Sequence, residues 1–450
     1  MIHTEKNQSM IKTFISYSIP CILGMFLTSF ITIVDGIFIG WKMGQNGLAA
    51  VNLTLPVLYC LLAVTIMIGV GGVTLGAQSL GEQNKMRANH YFNLALLICI
   101  IVNVMAMIIL LFFQDWIIRL LNAKGVLVNY VRDYLGIMSF FYVLMMANLI
   151  FSMFIRGEGK PKLSLLFGII SNILNIMMDY IFIMKLGYGM KGAALASGLS
   201  ILISFFLGVF YFLSEKSLFK FYKPSFNIFD LEKMFFYGSA EFVAQISLSV
   251  TTYIMNWVIL KRIGINGVAA LTIIGYVSFI QNMILTGIAV GIHPVMSFHF
   301  GAQNKDKIFE LLSIALKVVF FTGIIIFAIV NFATKGIVGI FTDNNKELLS
   351  IANQGLKLFS ISFLVNGYNI IAATYFTSLG KAKAAAVIST LRGLVLIGIF
   401  IFVLPYFMGN IGIWLTAPLT EGITFVISYF WIKRSKGTLQ FNLGNQSSLA

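Results

Sequence analysis

Charged side chains are scarce in this chain, at 10% of its 450 residues, whereas hydrophobic side chains make up 59%. A soluble domain of this size needs charge on about a quarter of its residues, so a soluble fold is excluded. The apolar runs are continuous rather than alternating, which also excludes a membrane barrel. The composition therefore predicts an all-α polytopic membrane protein.

Cysteine and histidine are also rare, with three and four copies. Cys21, Cys60 and Cys99 lie in apolar runs without paired spacing, and the histidines are scattered, so we expect neither disulfides nor a metal cluster. The sequence has no HExxH motif, no GxSxG motif and no Walker lysine. A membrane-embedded enzyme is therefore disfavoured, and we expect no cofactor other than a coupling ion, H⁺ or Na⁺.

Twelve apolar segments are long enough to cross a bilayer, and they form two sets of six around one charged stretch. We predict an N-terminal lobe at 1–214 with helices 1–6, a cytoplasmic linker at 215–234, a C-terminal lobe at 235–434 with helices 7–12, and a cytoplasmic tail at 435–450. The predicted segments are 13–39, 49–77, 91–113, 131–155, 163–187, 192–214, 235–260, 267–298, 308–332, 355–379, 384–407 and 410–433.

Basic residues in the loops predict the orientation. With a cytoplasmic N-terminus, 18 of the 31 Lys and Arg fall on the cytoplasmic side, 9 on the outer side and 4 inside segment ends. This bias places both termini in the cytoplasm. It also explains much of the net charge of +15, so no nucleic-acid partner is expected.

The two halves repeat each other. Residues 44–53 match 264–273 and residues 81–85 match 301–305 at an offset of 220, while 159–162 match 380–383 at 221. Each half has an even number of crossings, so matched helices run in the same direction as parallel repeats about an axis along the membrane normal. Two-lobed transporters of this kind work by alternating access.

Polar residues inside the spans mark a candidate site. On helix 5, Asn172, Asn175 and Asp179 share one face, and a carboxylate at membrane depth costs roughly 2.5–3.5 kcal/mol on insertion scales. Helix 1 carries Asp35 in its outer half, one turn after Thr32, so the two carboxylates can share a depth. The alternative is a structural acid whose partner is a polar side chain on the next helix.

Several stretches resemble one family, the multidrug and toxic compound extrusion (MATE) transporters. In order and spacing the resemblance covers nearly the whole chain, and the family has twelve helices in two six-helix bundles. The stretches that carry it are residues 32–57, 69–84, 155–197, 267–277 and 291–304.

The resemblance implies export of organic, often cationic, compounds in exchange for H⁺ or Na⁺. It also implies that Asp35 and Asp179 bind the coupling cation, which includes a possible Na⁺ site. The family pattern then places a helix 4 tyrosine, an asparagine and a helix 6 hydroxyl around them, for which Tyr134, Asn175 and Ser197 are the best matches.

Two further acids are candidates for substrate binding. Glu241 begins a polar stripe on helix 7 that continues with Gln245, and it either binds substrate or caps the helix near its cytoplasmic end. Glu421 lies near the middle of helix 12, where it either meets a cationic substrate or holds the helix against a neighbour. Asn172 completes the candidate set.

Other functions are disfavoured. A flippase for lipid-linked oligosaccharides or precursors, from the same superfamily, is the main alternative, but such proteins commonly have fourteen helices and cationic cavities. A channel would need a filter-like run, which is not evident. We expect a monomer in contact with membrane lipid, whose partners are small organic cations.

Overall fold

The computed structural model describes residues 9–224, 226–339 and 346–447, with side chains described up to residue 437. This part of the chain is almost entirely helical. The α-helices are α1 (Met10–Gly81), α2 (Lys85–Phe112), α3 (Gln114–Leu120), α4 (Val126–Gly157), α5 (Pro161–Asp179), α6 (Gly189–Leu213), α7 (Ile228–Arg262), α8 (Ile265–Gly301), α9 (Lys305–Gly339), α10 (Lys346–Phe359), α11 (Phe363–Ser378), α12 (Ala382–Thr390), α13 (Leu396–Met408) and α14 (Asn410–Ser447).

Three shorter helical turns join some of these helices. A 3₁₀ turn, Ser360–Ser362, links α10 to α11. A π-helical turn, Tyr180–Lys185, continues α5, and a second one, Leu391–Val395, links α12 to α13. Each linked pair therefore crosses the membrane as one span.

Eleven helical segments in the described chain are long and apolar enough to span a bilayer. The first, α1, has 72 residues and comprises two helices, because the backbone at Gly44 is not helical (φ 63°, ψ −154°). At 1.5 Å per residue, each of the two is long enough for one crossing of a core about 30 Å thick. The predicted all-α protein with twelve spans is thus confirmed.

The described chain divides into two compact units. The first unit is Ile15–Gly238, and the second comprises Ser9–Phe14 and the residues from Ser239 onward. In the first, Phe92 packs its ring against those of Phe212 and Phe154, at centroid distances of 4.6 Å and 5.0 Å. The second has a buried core around Trp414.

Backbone conformation repeats between the units. Left-handed φ values occur in pairs at the offsets of the sequence repeat, so the same turns connect equivalent spans and the internal duplication extends to the backbone. The pairs are Gly44 and Gly264 (φ 63° and 88°), Gln83 and Gln303 (60° and 56°), Gly159 and Gly380 (97° and 69°), and Gly189 and Gly409 (56° and 58°).

Helix caps repeat in the same way. The Asn84 side chain accepts a hydrogen bond from the Arg87 backbone N–H at 2.9 Å, and Asn304 accepts one from Lys307 at 3.3 Å. The two asparagines are 220 residues apart in the sequence, and each caps the helix that follows it at the equivalent place in its unit.

The predicted linker is mostly ordered within the first unit. Glu158 accepts hydrogen bonds from Ser217 Oγ at 3.0 Å and from the Leu218 N–H at 2.7 Å. The Asn89 side chain accepts one from the Lys220 N–H at 2.6 Å. Helix α7 begins at Ile228, so its first two turns occupy residues predicted as linker.

At the C-terminal end of the described chain, α14 continues to Ser447 through most of the predicted tail, whose last three residues lie outside the described chain.

Two glycines allow α1 and α7 to cross closely within the first unit. A Cβ atom at Gly71 would lie 1.9 Å from the Met234 carbonyl oxygen, and one at Gly238 would lie 1.8 Å from that of Met67. No side chain fits at such distances, so each glycine is required for this crossing.

Candidate functional site

The acids of helices 1 and 5 meet inside the first unit. Asp35 on α1 and the last residue of α5, Asp179, bring their carboxyl groups within hydrogen-bonding reach of each other. Asp179 is 1% exposed, and Asp35 is partly buried. Two carboxylates this close repel each other in a buried site unless a cation lies between them.

Three more predicted residues surround the pair. Asn175, one turn before Asp179, is buried and donates from Nδ2 to Ser197 Oγ on α6 at 3.5 Å. Tyr134 on α4 is close enough to interact electrostatically with both carboxyl groups. The structure therefore brings together all five residues predicted for cation coupling.

Unpartnered oxygens distinguish this cluster from a satisfied polar core. Asp35 Oδ1, Asp179 Oδ2 and Asn175 Oδ1 are buried and have no hydrogen-bond partner. Buried polar atoms are rarely left unpaired, because each costs about 1–3 kcal/mol. Oxygen atoms of carboxylate and amide groups are the ligands that hard cations prefer, so the cluster suits a proton or Na⁺.

The backbone is irregular at this point. The π-helical turn Tyr180–Lys185 starts directly after Asp179. Such turns are rare in α-helices and occur frequently at functional sites. This turn places the carboxylate at the junction of two helical geometries, where its backbone can repack more easily than in a regular helix.

Nearby polar residues are not part of the cluster. The hydroxyl groups of Thr28 and Thr32 donate to carbonyls one turn earlier on α1, at 2.9 Å and 3.1 Å. Asn172, a predicted substrate-binding residue, is partly buried two turns before Asp179, and no hydrogen bond is recorded for its side chain. Its role stays a prediction.

The second unit holds an ion pair instead. Arg392, in the π-helical turn Leu391–Val395, donates to Glu421 Oε1 from Nη2 at 2.8 Å and from Nε at 3.2 Å. It also donates to Asn366 Oδ1 at 2.5 Å. Asn369 Nδ2 donates to Glu421 Oε2 at 2.6 Å. These four residues form a continuous polar network between α11, α14 and the π-helical turn.

This network settles which contacts Glu421 makes. Of the two interpretations, the structure shows the one in which Glu421 holds its helix against neighbours, and direct contact with a substrate stays a prediction.

Sequence reasoning missed Arg392 because it counted this residue among segment ends. Its position eight residues after the start of the segment predicted at 384–407 was the signal that could have found it.

Glu241 remains outside the ion pair. It is partly buried on α7, no hydrogen bond is recorded for it, and it lies close enough to Arg392 for a direct electrostatic interaction. Gln245, one turn later, is also partly buried, and Ser249 and Thr252 on the same stripe are exposed.

Family comparison agrees with this architecture. The family model described as MatE matches residues 20–181 and again 241–404. The chain belongs to the MatE family. The two matched regions are the two halves of the repeat, so this MatE chain carries the family pattern once in each half.

Characterised relatives come from staphylococci. The multidrug export protein MepA of Staphylococcus saprophyticus is 26% identical over 431 residues, which are 94% of this chain and 93% of the relative. MepA of Staphylococcus haemolyticus is 25% identical over 434 residues, 94% of each chain. By name, both relatives are multidrug export proteins.

Solved structures share the fold. A structure of MATE in complex with MaL6 has a TM-score of 0.89 at 22% identity and covers 96% of this chain and 98% of its own. An outward-facing multidrug resistance MATE family transporter has a TM-score of 0.88 at 22% identity, with 96% and 97% covered. A MOP superfamily transporter from Pyrococcus furiosus gives the same values. The MatE chain is thus a multi-pass membrane protein with a transporter fold.

Proposed function

We propose that this protein is a secondary active antiporter that exports organic, mainly cationic, compounds in exchange for H⁺ or Na⁺ by alternating access. The observation that carries the proposal is the buried pair of Asp35 and Asp179, whose unpartnered oxygens have no basic side chain beside them in the described part of the chain. Family membership and the multidrug export named for its relatives support the direction of transport and the kind of cargo.

The coupling cation occupies the carboxyl pair of the first unit. Asp35 and Asp179 supply the negative charge, and Asn175 Oδ1 supplies a neutral oxygen ligand that suits Na⁺. Ser197 holds the Asn175 amide through the bond from Nδ2, which leaves Oδ1 free to turn toward the cation. If the ion is H⁺, the same two carboxyl groups share it and the Tyr134 hydroxyl donates to them.

Neutralisation of the pair is the step that links the two fluxes. Without a bound cation the two carboxylates repel, which favours separation of α1 from α5. A bound cation holds them together, so the packing of α1 depends on occupancy. A change of this kind in one helix alters the affinity of the unit for its second ligand by linkage.

The substrate contacts we propose are Glu241, Gln245, Glu421 and Asn172. Each is a polar group at membrane depth, where such groups are retained mainly for function. We also propose that the protein is a monomer in the bacterial inner membrane with both termini in the cytoplasm, because the distribution of Lys and Arg favours that orientation.

Transport into everted membrane vesicles tests the proposal. A fluorescent organic cation is added outside, and Na⁺ and H⁺ gradients from the lumen to the bath are imposed separately. We expect uptake that needs one of the two gradients and no ATP, and no uptake in vesicles that lack the protein. Uptake that is independent of both gradients would contradict antiport.

A further inference from the structure

The ion pair of the second unit is an unusual feature for a transporter of organic cations, because it places a fixed positive charge beside the proposed substrate contacts. Arg392 makes three hydrogen bonds, two to Glu421 and one to Asn366. A guanidinium group held at this many points by a carboxylate and an amide keeps one position. Its charge is therefore a permanent part of this region.

The group of charges is unequal. Glu241 and Glu421 contribute two negative charges and Arg392 one positive charge, so the three residues together carry one net negative charge. Glu421 uses both carboxylate oxygens, toward Arg392 and Asn369, whereas Glu241 accepts no hydrogen bond from any residue that the structure describes. Glu241 is therefore the carboxylate that is available to pair with a ligand.

The charged residues of this region are partly exposed. The side chains of Arg392 and Glu421 are 22% and 12% exposed, so the ion pair is sheltered but can be reached by solvent. Glu241 is partly exposed at one end of the polar stripe on α7. A ligand cation that pairs with Glu241 would feel the field of the ion pair directly, because charges at this depth are weakly screened.

We infer that Arg392 is a specificity-determining residue, which cancels the charge of Glu421 and makes the substrate site of the second unit selective for organic monocations over dications. This inference rests on the proposed export of organic cations. A dication gains less from one net negative charge than it loses in desolvation, while a monocation is fully compensated by Glu241. The sequence repeat offers no equivalent in the first unit, where residue 171 in the matching position is a serine.

Net charge can be varied in steps without removing Glu241. In the wild type, Glu241, Glu421 and Arg392 together have a net charge of −1. This net charge becomes −2 in Arg392→Gln and 0 in Glu421→Gln, and it returns to −1 in the double variant R392Q/E421Q, which has no ion pair. In the double variant the two amides can still bond to each other and to the asparagines, so it retains polar partners. Lys317→Gln is the matched control, since it removes one exposed positive charge from α9, which contributes no residue to the network.

The test is uptake of tetraphenylphosphonium, a monocation, and methyl viologen, a dication, by proteoliposomes that contain each purified variant. The measured quantity is the ratio of the two transport rates in the same preparation, so differences in yield or folding cancel. One extra negative charge attracts a dication twice as strongly as a monocation, so we expect R392Q to shift the ratio toward the dication about tenfold, equivalent to ~1.4 kcal/mol. We expect E421Q to slow both probes, and the double variant and K317Q to keep the wild-type ratio.

The outcomes separate this inference from the proposed function. A ratio that follows net charge through the four proteins supports the inference. Equal loss of both probes in R392Q, or a double variant whose ratio resembles that of R392Q, would mean that the ion pair is only structural and overturns it. If the wild-type protein transports neither probe under any gradient, the proposed function fails and the inference fails with it.

Discussion

Replacement of Asp179 by asparagine removes one of the two charges that face each other in the first unit and keeps the shape of the side chain. A bound cation about 4 Å from the Asp179 carboxylate is attracted to it by about 4 kcal/mol at an effective dielectric constant near 20. Asp179 is buried but Asp35 is partly exposed, so we halve this value for solvent screening. The remaining ~2 kcal/mol of lost cation binding corresponds to about a 30-fold change in affinity.

The assay is uptake of a fluorescent organic cation at a series of luminal Na⁺ concentrations or pH values. We expect Asp179→Asn to need about 30 times more of the coupling ion for half-maximal transport. Asp115→Asn is the control, because its side chain is 71% exposed and pairs with Arg132 on the surface, so it changes the same charge outside the site. If Asp179→Asn keeps the ion dependence of the wild type, the coupling role of this pair is wrong.

The pair also predicts non-additivity. Because Asp35 and Asp179 would hold one cation between them, their effects on ion affinity belong to one site. The double variant Asp35→Asn, Asp179→Asn should therefore lose less than the sum of the two single changes. Two independent sites would instead give additive losses.

Three further changes test other parts of the structure. Tyr134→Phe removes only a hydroxyl that lies near both carboxyl groups, so we expect a three- to tenfold weaker ion dependence in the same uptake assay, about 0.5–1.5 kcal/mol; no change would exclude this hydroxyl from the site. Gly238→Ala should lower the melting temperature of the purified protein or abolish expression, because its Cβ would lie 1.8 Å from the Met67 carbonyl oxygen, whereas Gly168→Ala, with no atom within 4 Å, should be neutral or stabilising by up to about 1 kcal/mol. Burial raises the pKa of Glu158 above its ordinary value of 4.5, so the folded protein holds this proton more tightly than the unfolded chain does. The stability of the wild type relative to Glu158→Gln should therefore fall as the pH rises from 4.5 through the raised pKa. A difference in melting temperature between the two proteins that stays constant above pH 4.5 would contradict this.

Sequence patterns predict much of the first site because the physical constraint there is strong. A carboxylate such as Asp179 is too costly in a membrane to be incidental, and helical periodicity places Asn175 beside it. The π-helical turn after Asp179 is a result of tertiary packing. No local pattern in the sequence encodes it.

The second site was less predictable for a physical reason as well. Basic residues near segment ends usually reach the membrane surface with their long side chains, so Arg392 resembles many residues that have no internal partner. Its partners, Asn366 and Glu421, come from 26 and 29 residues away, and only the packing of separate helical segments brings them together. Pairings at such separations do not follow from the period of any single helix.

The two units differ in chemistry although their turns and spans repeat. The counterpart of Asp35 at the offset of 220 is Met255, which is buried in the hydrophobic core of the second unit. Conversely, the acid Glu421 of the second unit has its own cation in Arg392, at 2.8 Å. The acid pair of the first unit has no such basic partner among the described residues. We therefore propose that ion coupling is confined to the first unit, which takes its counter-charge from the ion gradient, whereas the second unit supplies its own.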